Sequence, residues 1–545
     1  YEKVPLLDCF TAPCKGGCPI HQDIPEYIEL CRKGAYASAL RLITEKNPLP
    51  FITGTICAHN CMTKCMRNYY DEPVNIRATK LVAAEKGYDA YMSKITPPAP
   101  VTDGRKVAVI GGGPTGMSAA YFVGRAGIPV TLFEKADRLG GIVRQVIPAF
   151  RISDEAIDKD VALIEKMGVE VKLNTEAPSV AELKAQGYTH IFFAVGAWKA
   201  GRLDIPGNVV PVIGWLRDMK AGKDVSLGHV AVVGGGNTAM DAARAALRAG
   251  AKSSTLVYRR TKKYMPADAE ELEMAIADGV EFLELVAPVE QKDGKLICEK
   301  MKLGDPDDKG RRKPVPTGEM VEIPCDTVVS AVGEKVESEV FTRNGITVDE
   351  KGIPAFKTNL EGVYAGGDAM RGPATVVEGI ADAQYFANAV IGEAHKFAIP
   401  AKAVATREEA VAKKGVLCES AKCEGDRCLT CNVVCQVCAD VCPNRANVVI
   451  ELPDGRQQIL HVDRMCNECG NCAVFCPYDS APYREKFTLF LTREGFDESV
   501  NNQGFLPLGG KKVLVRLDSK VFEADLDAKN DLPADIEVFI WTVLT

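Results

Sequence analysis

Two strand–glycine–helix repeats in the middle of the chain, and a cluster of cysteines at each end, predict an α/β multidomain protein. The first repeat joins an apolar run (Val107 to Ile110) to Gly111-Gly112-Gly113-Pro114-Thr115-Gly116 and a small-residue helix stopping at Gly127. A β-rich run ending on Glu134 closes it. The second repeat, opening at His229, has the same plan around Gly234-x-Gly236-x-x-Ala239, with its helix stopping at Gly250. Of the 20 cysteines, seven lie between Cys9 and Cys65 and eleven between Cys418 and Cys476, leaving only Cys298 and Cys325 in the long middle.

The glycines of the first repeat have separate physical tasks. Gly111 permits the tight turn, Gly113 lets backbone approach a pyrophosphate, and Gly116 allows the helix to pack closely on the strand. The helix N-terminus offers free N–H groups to the phosphates, and Glu134 suits the two hydroxyls of a ribose. In the second repeat the strand Thr255 to Tyr258 ends on Arg259-Arg260, not on an acid. Guanidinium groups there suit a 2′-phosphate, so NADPH is expected over NADH. Two nucleotide folds in one chain argue for two cofactors, one tightly held and one exchanging.

The totals narrow the class. A chain of 545 residues suits three to four domains. The net charge of −7 gives no reason to expect nucleic acid or an anionic membrane as partner, and no apolar run approaches membrane-spanning length. Cysteine-dense ends around a cysteine-poor middle do not suit a secreted disulfide scaffold; the spacings suggest metal ligation in a reducing cytoplasm.

In chain order, helices are expected over Ile24 to Cys31 and Ala35 to Thr44, carrying Cys9-x4-Cys14-x3-Cys18-Pro19 and Cys57-x3-Cys61-x3-Cys65. A proline after the last cysteine is a ferredoxin trait, although short cysteine spacings also serve structural zinc. Cys31, on an apolar helix face, is expected to be a packed core thiol. Thr96-Pro97-Pro98-Ala99-Pro100 is a stiff linker. After the first repeat come a helix near Asp154 to Met167 and a buried strand, Ile191 to Val195, closing on Gly196. Val328 to Val332 closes on Gly333 in the same way, and Val363 to Ala365, Gly366-Gly367-Asp368 and a helix from Val376 to Ile391 complete the first fold. The second fold is therefore an insertion. No Cys-x2-Cys or Cys-x4-Cys falls between Cys65 and Cys298, which disfavours a disulfide reductase.

Cys466-x2-Cys469-x2-Cys472-x3-Cys476-Pro477 has the bacterial ferredoxin spacing. Cys431-x3-Cys435-x2-Cys438-x3-Cys442-Pro443 precedes it with one extra residue. In two-cluster ferredoxins the fourth cysteine of each run ligates the other cluster. That rule groups Cys431, Cys435, Cys438 and Cys476, and separately Cys442, Cys466, Cys469 and Cys472, as ligands of two [4Fe–4S] clusters. Cys428 could displace Cys431; Cys418 and Cys423 are expected to be non-ligands. The expected domains are 1–95, helical and cysteine-rich; 101–225 with 341–400, binding FAD; 226–340, binding NADPH; 415–485, ferredoxin-like; and 486–545, a small β appendage.

This order, with Tyr258-Arg259-Arg260 and Met265-Pro266-Ala267 in the inserted fold, resembles the small subunit of NADPH glutamate synthase and the N-terminal part of dihydropyrimidine dehydrogenase. Asn47 to Cys57 (NPLPFITGTIC), Ile147 to Ile152 (IPAFRI), Cys442 to Asn447 (CPNRAN) and Cys466 to Cys472 (CNECGNC) make it most similar to selenate reductase iron–sulfur subunits of the YgfK type. The resemblance covers nearly the whole chain. Members carry a further N-terminal region, and with Tyr1 in place of a start methionine the chain is expected to begin inside a longer product.

The resemblance implies flavin contacts at Gly111, Gly112, Gly113, Pro114, Thr115, Glu134, Gly141, Ile142, Arg151, Gly367, Asp368, Thr375 and Val376. It implies NADPH contacts at Gly235, Gly236, Asn237, Thr238, Arg259 and Arg260, with Ala331, Val332 and Gly333 near the nicotinamide. In the N-terminal domain it groups Cys9, Cys14 and Cys65, and separately Cys18, Cys57 and Cys61. Each group lacks a fourth ligand, because Leu6 stands where the family has cysteine and Lys80 where it has Glu or Gln. Asp8, His21 and His59 are the nearby substitutes. The implied function is a cytoplasmic subunit passing electrons from NADPH through FAD to [4Fe–4S] clusters and on to a partner, a molybdenum hydroxylase-type enzyme by resemblance. No acid–base residue is required. The alternatives are a subunit feeding a glutamate synthase-like amidotransferase and a scaffold without turnover.

Overall fold

In a computed structural model, residues 6–7, 11–225, 227–307, 310, 312–392, 404–417, 423–478, 480–499 and 502–545 are described. Cys9, Asp8 and Cys418 lie outside them. The chain divides into two compact units, one of Ile43–Ala58 and Ala84–Ile399, the other of Tyr1–Leu42, His59–Ala83 and Pro400–Thr545.

The first of these contains both glycine repeats. Val107–Ile110 is buried at every position, as an all-apolar run flanked by strands on both sides must be. It lies at the centre of a five-stranded parallel sheet ordered Val363–Ala365, His190–Phe193, Val107–Ile110, Val130–Phe133 and Glu170–Lys172. Helix Pro114–Arg125 follows with proline in its first turn and buries its small residues from Gly116 to Gly124. Helix Val376–Ile391 packs on it, fixed at its start by a capping box between Thr375 and Glu378. Asp160, on helix Asp154–Glu165, accepts from the N–H groups of Phe51 (3.1 Å) and Ile52 (2.8 Å), so a carboxylate caps helix Pro50–Ile56.

The second repeat builds a matching parallel sheet, ordered Val209–Pro211, Thr327–Ser330, His229–Val233, Ser253–Tyr258 and Glu281–Glu284. It opens well before residue 226, the expected boundary. Val209 and Val210 pair with Val328 and Val329, and helix Val212–Lys220 turns Val212, Ile213, Trp215 and Leu216 into the core beside Met240 and Ala243. These residues serve the second core and not the first. A three-stranded antiparallel sheet (Val286–Lys292, Lys295–Pro306 and Arg312–Pro324) extends this fold. Glu334–Lys335 pairs with Lys199–Ala200 as a short antiparallel ribbon between the folds.

In the other unit, helix Ile24–Arg32 is gripped by the chain's later residues. Glu29 pairs with Arg32 and Lys413, Asn432 donates to Glu26, and Arg427 pairs with Asp71. The expected β appendage is not separate from the ferredoxin-like run. Asn447–Glu451 and Gln457–Val462 continue through Thr488–Leu489, Gly504–Gly509, Lys512–Leu517 and Lys520–Asp525 in one six-stranded sheet. Helix Ala534–Leu544 buries Ile536, Phe539 and Ile540 at three- and four-residue spacing in the same core. Leu6 and Leu7 also pack into that core.

Candidate nucleotide cleft and thiol pockets

A cleft of about 320 Å³ in the nucleotide-binding unit opens along the first glycine turn. Gly111, Gly112, Gly113, Pro114, Thr115, Glu134, Gly141, Ile142, Asp368, Thr375 and Val376, all expected flavin contacts, line it. The turn's geometry shows what each glycine is for. A Cβ on Gly111 would lie 2.5 Å from the Ala194 carbonyl oxygen, and one on Gly116 would lie 1.8 Å from that of Gly111. A Cβ on Gly113 would meet nothing closer than Gly141 at 3.8 Å, so that side of the turn faces the cleft. The fold forbids side chains at the first two positions and keeps the third open, the cradle a pyrophosphate needs.

Glu134 is buried at the end of its strand and accepts from the N–H groups of Gly112 (2.6 Å) and Ala136 (2.7 Å). Asp368 opens a short helix behind Gly367 and accepts from Ala374 N–H at 3.1 Å. Burial pushes its carboxyl up to about 6, against the lowering effect of that bond; Glu334, Glu378 and Asp382 push it further up. Gly367 does not line the cleft; its φ of +64° and a would-be Cβ at 2.4 Å from the Thr115 hydroxyl explain the glycine. The sequence reading missed Thr175, Ala177, Trp198, Glu337 and Asn344, which also line it. Of these only Trp198, just past the strand closing on Gly196, had a signal nearby.

Arg151, expected at the flavin, is placed elsewhere. Its guanidinium meets Glu271 (2.5 Å) and Asp241 (3.2 Å) of the second fold and does not line the cleft. Asp241 is buried deeply enough to be pushed up to about 6 despite Arg151. The sequence could not show this, because the partners lie on helices of the inserted fold.

In the second turn a Cβ on Gly234 would lie 2.3 Å from the Ala331 carbonyl oxygen and one on Gly235 2.4 Å from the Tyr258 ring, while one on Gly236 would meet open space. Asn237 and Thr238 begin helix Asn237–Arg248; Asn237 accepts from Asp268 N–H, and Thr238 bonds the Glu334 side chain. Arg259 is exposed, and Arg260 carries a buried Nε with no hydrogen-bond partner. An unpaired buried guanidinium N–H beside an open glycine turn fits a phosphate that arrives with the nucleotide. Ala331, Val332 and Gly333 form the turn after strand Thr327–Ser330. Cys298 and Cys325 are fully buried in this fold's core, and burial pushes their thiols up to about 12 and about 11. They are inert packing groups away from the cleft.

Among the described residues of the other unit, thiols gather around three pockets. Cys442, Cys466, Cys469 and Cys472 line one, the set the ferredoxin rule groups. Backbone N–H groups of Ala446 and Glu468 point at the sulfurs of Cys442 (3.1 Å) and Cys466 (3.3 Å), bonds that stabilise thiolates. Cys435, Cys438 and Cys476 line a second, together with the buried Lys486. Cys431, grouped with those three by the rule, instead lines the third pocket with Cys14, Cys65 and Cys428. Cys18, Cys61 and Cys31 lie around the buried Tyr27, whose hydroxyl they push upward after burial itself. Cys57 ends helix Pro50–Ile56 in the nucleotide-binding unit. Leu6 packs into the sheet core, and Lys80 is buried. All-sulfur donor sets suit iron–sulfur clusters and not hard cations.

Comparison with known proteins agrees with this geometry. The pyridine nucleotide-disulphide oxidoreductase model matches residues 105–383, and that of dihydropyrimidine dehydrogenase domain II, 4Fe-4S cluster, matches residues 6–90. The chain belongs to the pyridine nucleotide-disulphide oxidoreductase family. The two models suit flavin, NADPH and [4Fe–4S] clusters, and among the described residues no cysteine lines the cleft. It is 41% identical to the oxidoreductase YgfK of Escherichia coli over 98% of its own length and 54% of that protein's. It is 36% identical to the NADP(+)-dependent formate dehydrogenase subunit beta of Moorella thermoacetica (68% and 58%) and 31% identical to the glutamate synthase [NADPH] small chain of Escherichia coli (71% and 89%). The chain thus spans about half the length of the YgfK it matches. Among the described residues no helix is long and apolar enough to cross a membrane.

Proposed function

We propose that this chain is the electron-entry part of a larger oxidoreductase, drawing electrons from NADPH and delivering them to a partner protein. The observation that carries this reading is that one chain has a flavin-type cleft, a second glycine turn whose strand ends on an arginine with an unpartnered Nε, and pockets that gather three or four cysteines each. When bound, the flavin converts the two-electron chemistry of a pyridine nucleotide into single electrons, which iron–sulfur clusters carry. The protein's own residues bind and orient. Gly113 and Gly236 leave room for the diphosphates, Glu134 holds the ribose end of the flavin nucleotide, and Arg259 and Arg260 select the 2′-phosphate. Pockets walled by Pro477, Tyr478 and Pro482 keep water from the sulfurs.

A formate dehydrogenase beta subunit among the relatives supports the idea of a partner subunit. The likeness to selenate reductase subunits makes a molybdoenzyme the partner we propose. Co-purification of the native protein tests that identity. The electron-entry role is tested by adding NADPH to purified protein without oxygen. Flavin bleaching followed by EPR signals of reduced clusters is expected; bleaching with no cluster signal would defeat the relay, and no NADPH–dye reductase activity would leave a scaffold.

A further inference from the structure

The third thiol pocket joins residues that sequence spacing assigns to different clusters. Cys14 and Cys65 come from the N-terminal helices, Cys428 and Cys431 from more than three hundred positions later, and together they ring one apolar space walled by Ile24, Ile28, Met66, Val74 and Leu429. We propose that Cys14, Cys65, Cys428 and Cys431 bind one [4Fe–4S] cluster, making Cys428 a ligand and moving Cys431 out of the ferredoxin-like run.

Three observations carry the assignment. The segments are locked together around the pocket. Glu424 accepts from Asn75 N–H at 2.9 Å, Arg427 pairs with Asp71 at 3.3 Å, Lys413 pairs with Glu29 at 3.3 Å, and Asn432 donates to Glu26. Four cysteines around one space are therefore a property of the packed unit and not of a loose loop.

Among the described residues the pocket's one charged lining residue is Arg67, itself 1% exposed, bonded to Asp71 and to the Val416 carbonyl oxygen, with its guanidinium 5.1 Å from the Tyr70 ring centre. A cluster held by four thiolates carries net negative charge, and a buried guanidinium at its edge offsets it. Each thiol gives up its proton on ligation.

The thiols ring a space and do not converge on a point. Among the described residues no three His, Cys, Asp or Glu side chains are placed to hold a single ion, as tetrahedral zinc with bonds of about 2.3 Å would require.

The inference rests on the iron–sulfur reading of the chain, and its test needs neither NADPH nor turnover. Iron, zinc and acid-labile sulfide would be measured on the full chain and on Cys14→Ser, Cys428→Ser, Cys431→Ser and Cys476→Ser, with EPR after dithionite reduction. Cys428→Ser and Cys431→Ser should each lose about four iron atoms per chain and the same signal that Cys14→Ser loses. Cys476→Ser should lose a different one. The flavin content of each variant should stay at the wild-type level. Full iron in Cys428→Ser, or a Cys431→Ser spectrum matching Cys476→Ser, overturns the assignment while leaving the relay intact. Zinc in place of iron in the wild type overturns both. Should Cys428→Ser not accumulate as folded protein, the comparison of Cys431→Ser with Cys14→Ser and Cys476→Ser carries the same decision.

Discussion

The two glycine turns share a plan and differ at two places. In the first, the helix comes so close that position 116 must be glycine; in the second the equivalent residue is Ala239, fully buried and accommodated. In the first, the strand beside the turn ends on a buried carboxylate held by two backbone N–H groups. In the second it ends on an exposed Arg259 and on Arg260 with an unpartnered Nε. The first site already holds its carboxylate on backbone N–H groups. The second leaves a guanidinium N–H open to a phosphate. That difference fits the proposal of one resident and one exchanging cofactor.

Gly116 and Gly113 break the comparison most sharply. Gly116→Ala drives a methyl into the Gly111 carbonyl, so we expect about 1–3 kcal/mol of lost stability, visible in thermal unfolding of the flavin-free protein. Gly113→Val puts its side chain into open cleft at a backbone of φ −76° and ψ −179° that valine accepts. The flavin-free protein should then unfold as the wild type does but retain little or no FAD. Equal destabilisation by both changes would show that the turn's open side is not a cofactor cradle.

Arg259→Ala with Arg260→Ala should raise KM for NADPH by roughly 10- to 100-fold, leave NADH nearly unchanged, and leave FAD content alone. A parallel rise for both nucleotides would mean the pair does not read the 2′-phosphate.

Asp368 sharpens the first site. Its folded pKa of about 6 lies above the ordinary carboxyl value, so its charge costs stability above pH 6 and that cost vanishes as pH falls towards 4. Asp368→Asn should stabilise the flavin-free protein at pH 8 by roughly 1–3 kcal/mol relative to wild type, with the two melting temperatures converging near pH 4. A pH-independent difference would contradict the assigned cause. The smallest effect belongs to Lys486, a buried cation lining the pocket of Cys435, Cys438 and Cys476. Lys486→Met should lower one cluster's potential by something on the order of 50 mV in a redox titration, without changing iron content.

What could be read from the chain before its structure follows from the range of the interactions. Gly111 to Gly116, Glu134 and Thr375–Val376 were legible because a nucleotide turn is local and its glycines answer to contacts within one strand–helix unit. Cys442 with Cys466, Cys469 and Cys472 was legible because ferredoxin pairing has a fixed rule. Arg151 was misplaced because its carboxylates come from the inserted fold, which no spacing reveals. Val209–Pro211 was assigned to the wrong fold because a three-residue strand carries no pattern of its own. Helix Ala534–Leu544 went unseen within the expected β appendage because Val538, Phe539, Ile540 and Val543 are β-formers whose helical stripe shows only once a core faces them. Cys431 was grouped by its nearest neighbours in sequence, whereas packing places it beside cysteines from the other end.

The central claim is that NADPH, flavin and clusters form one electron path, and an anaerobic reductive titration with NADPH counts that path directly. The account predicts that each flavin consumes more than one NADPH before the end point, with the surplus appearing as EPR-detected reduced clusters at two per additional NADPH. A titration that ends at one NADPH per flavin, with every cluster still EPR-silent yet reducible by dithionite, would contradict it.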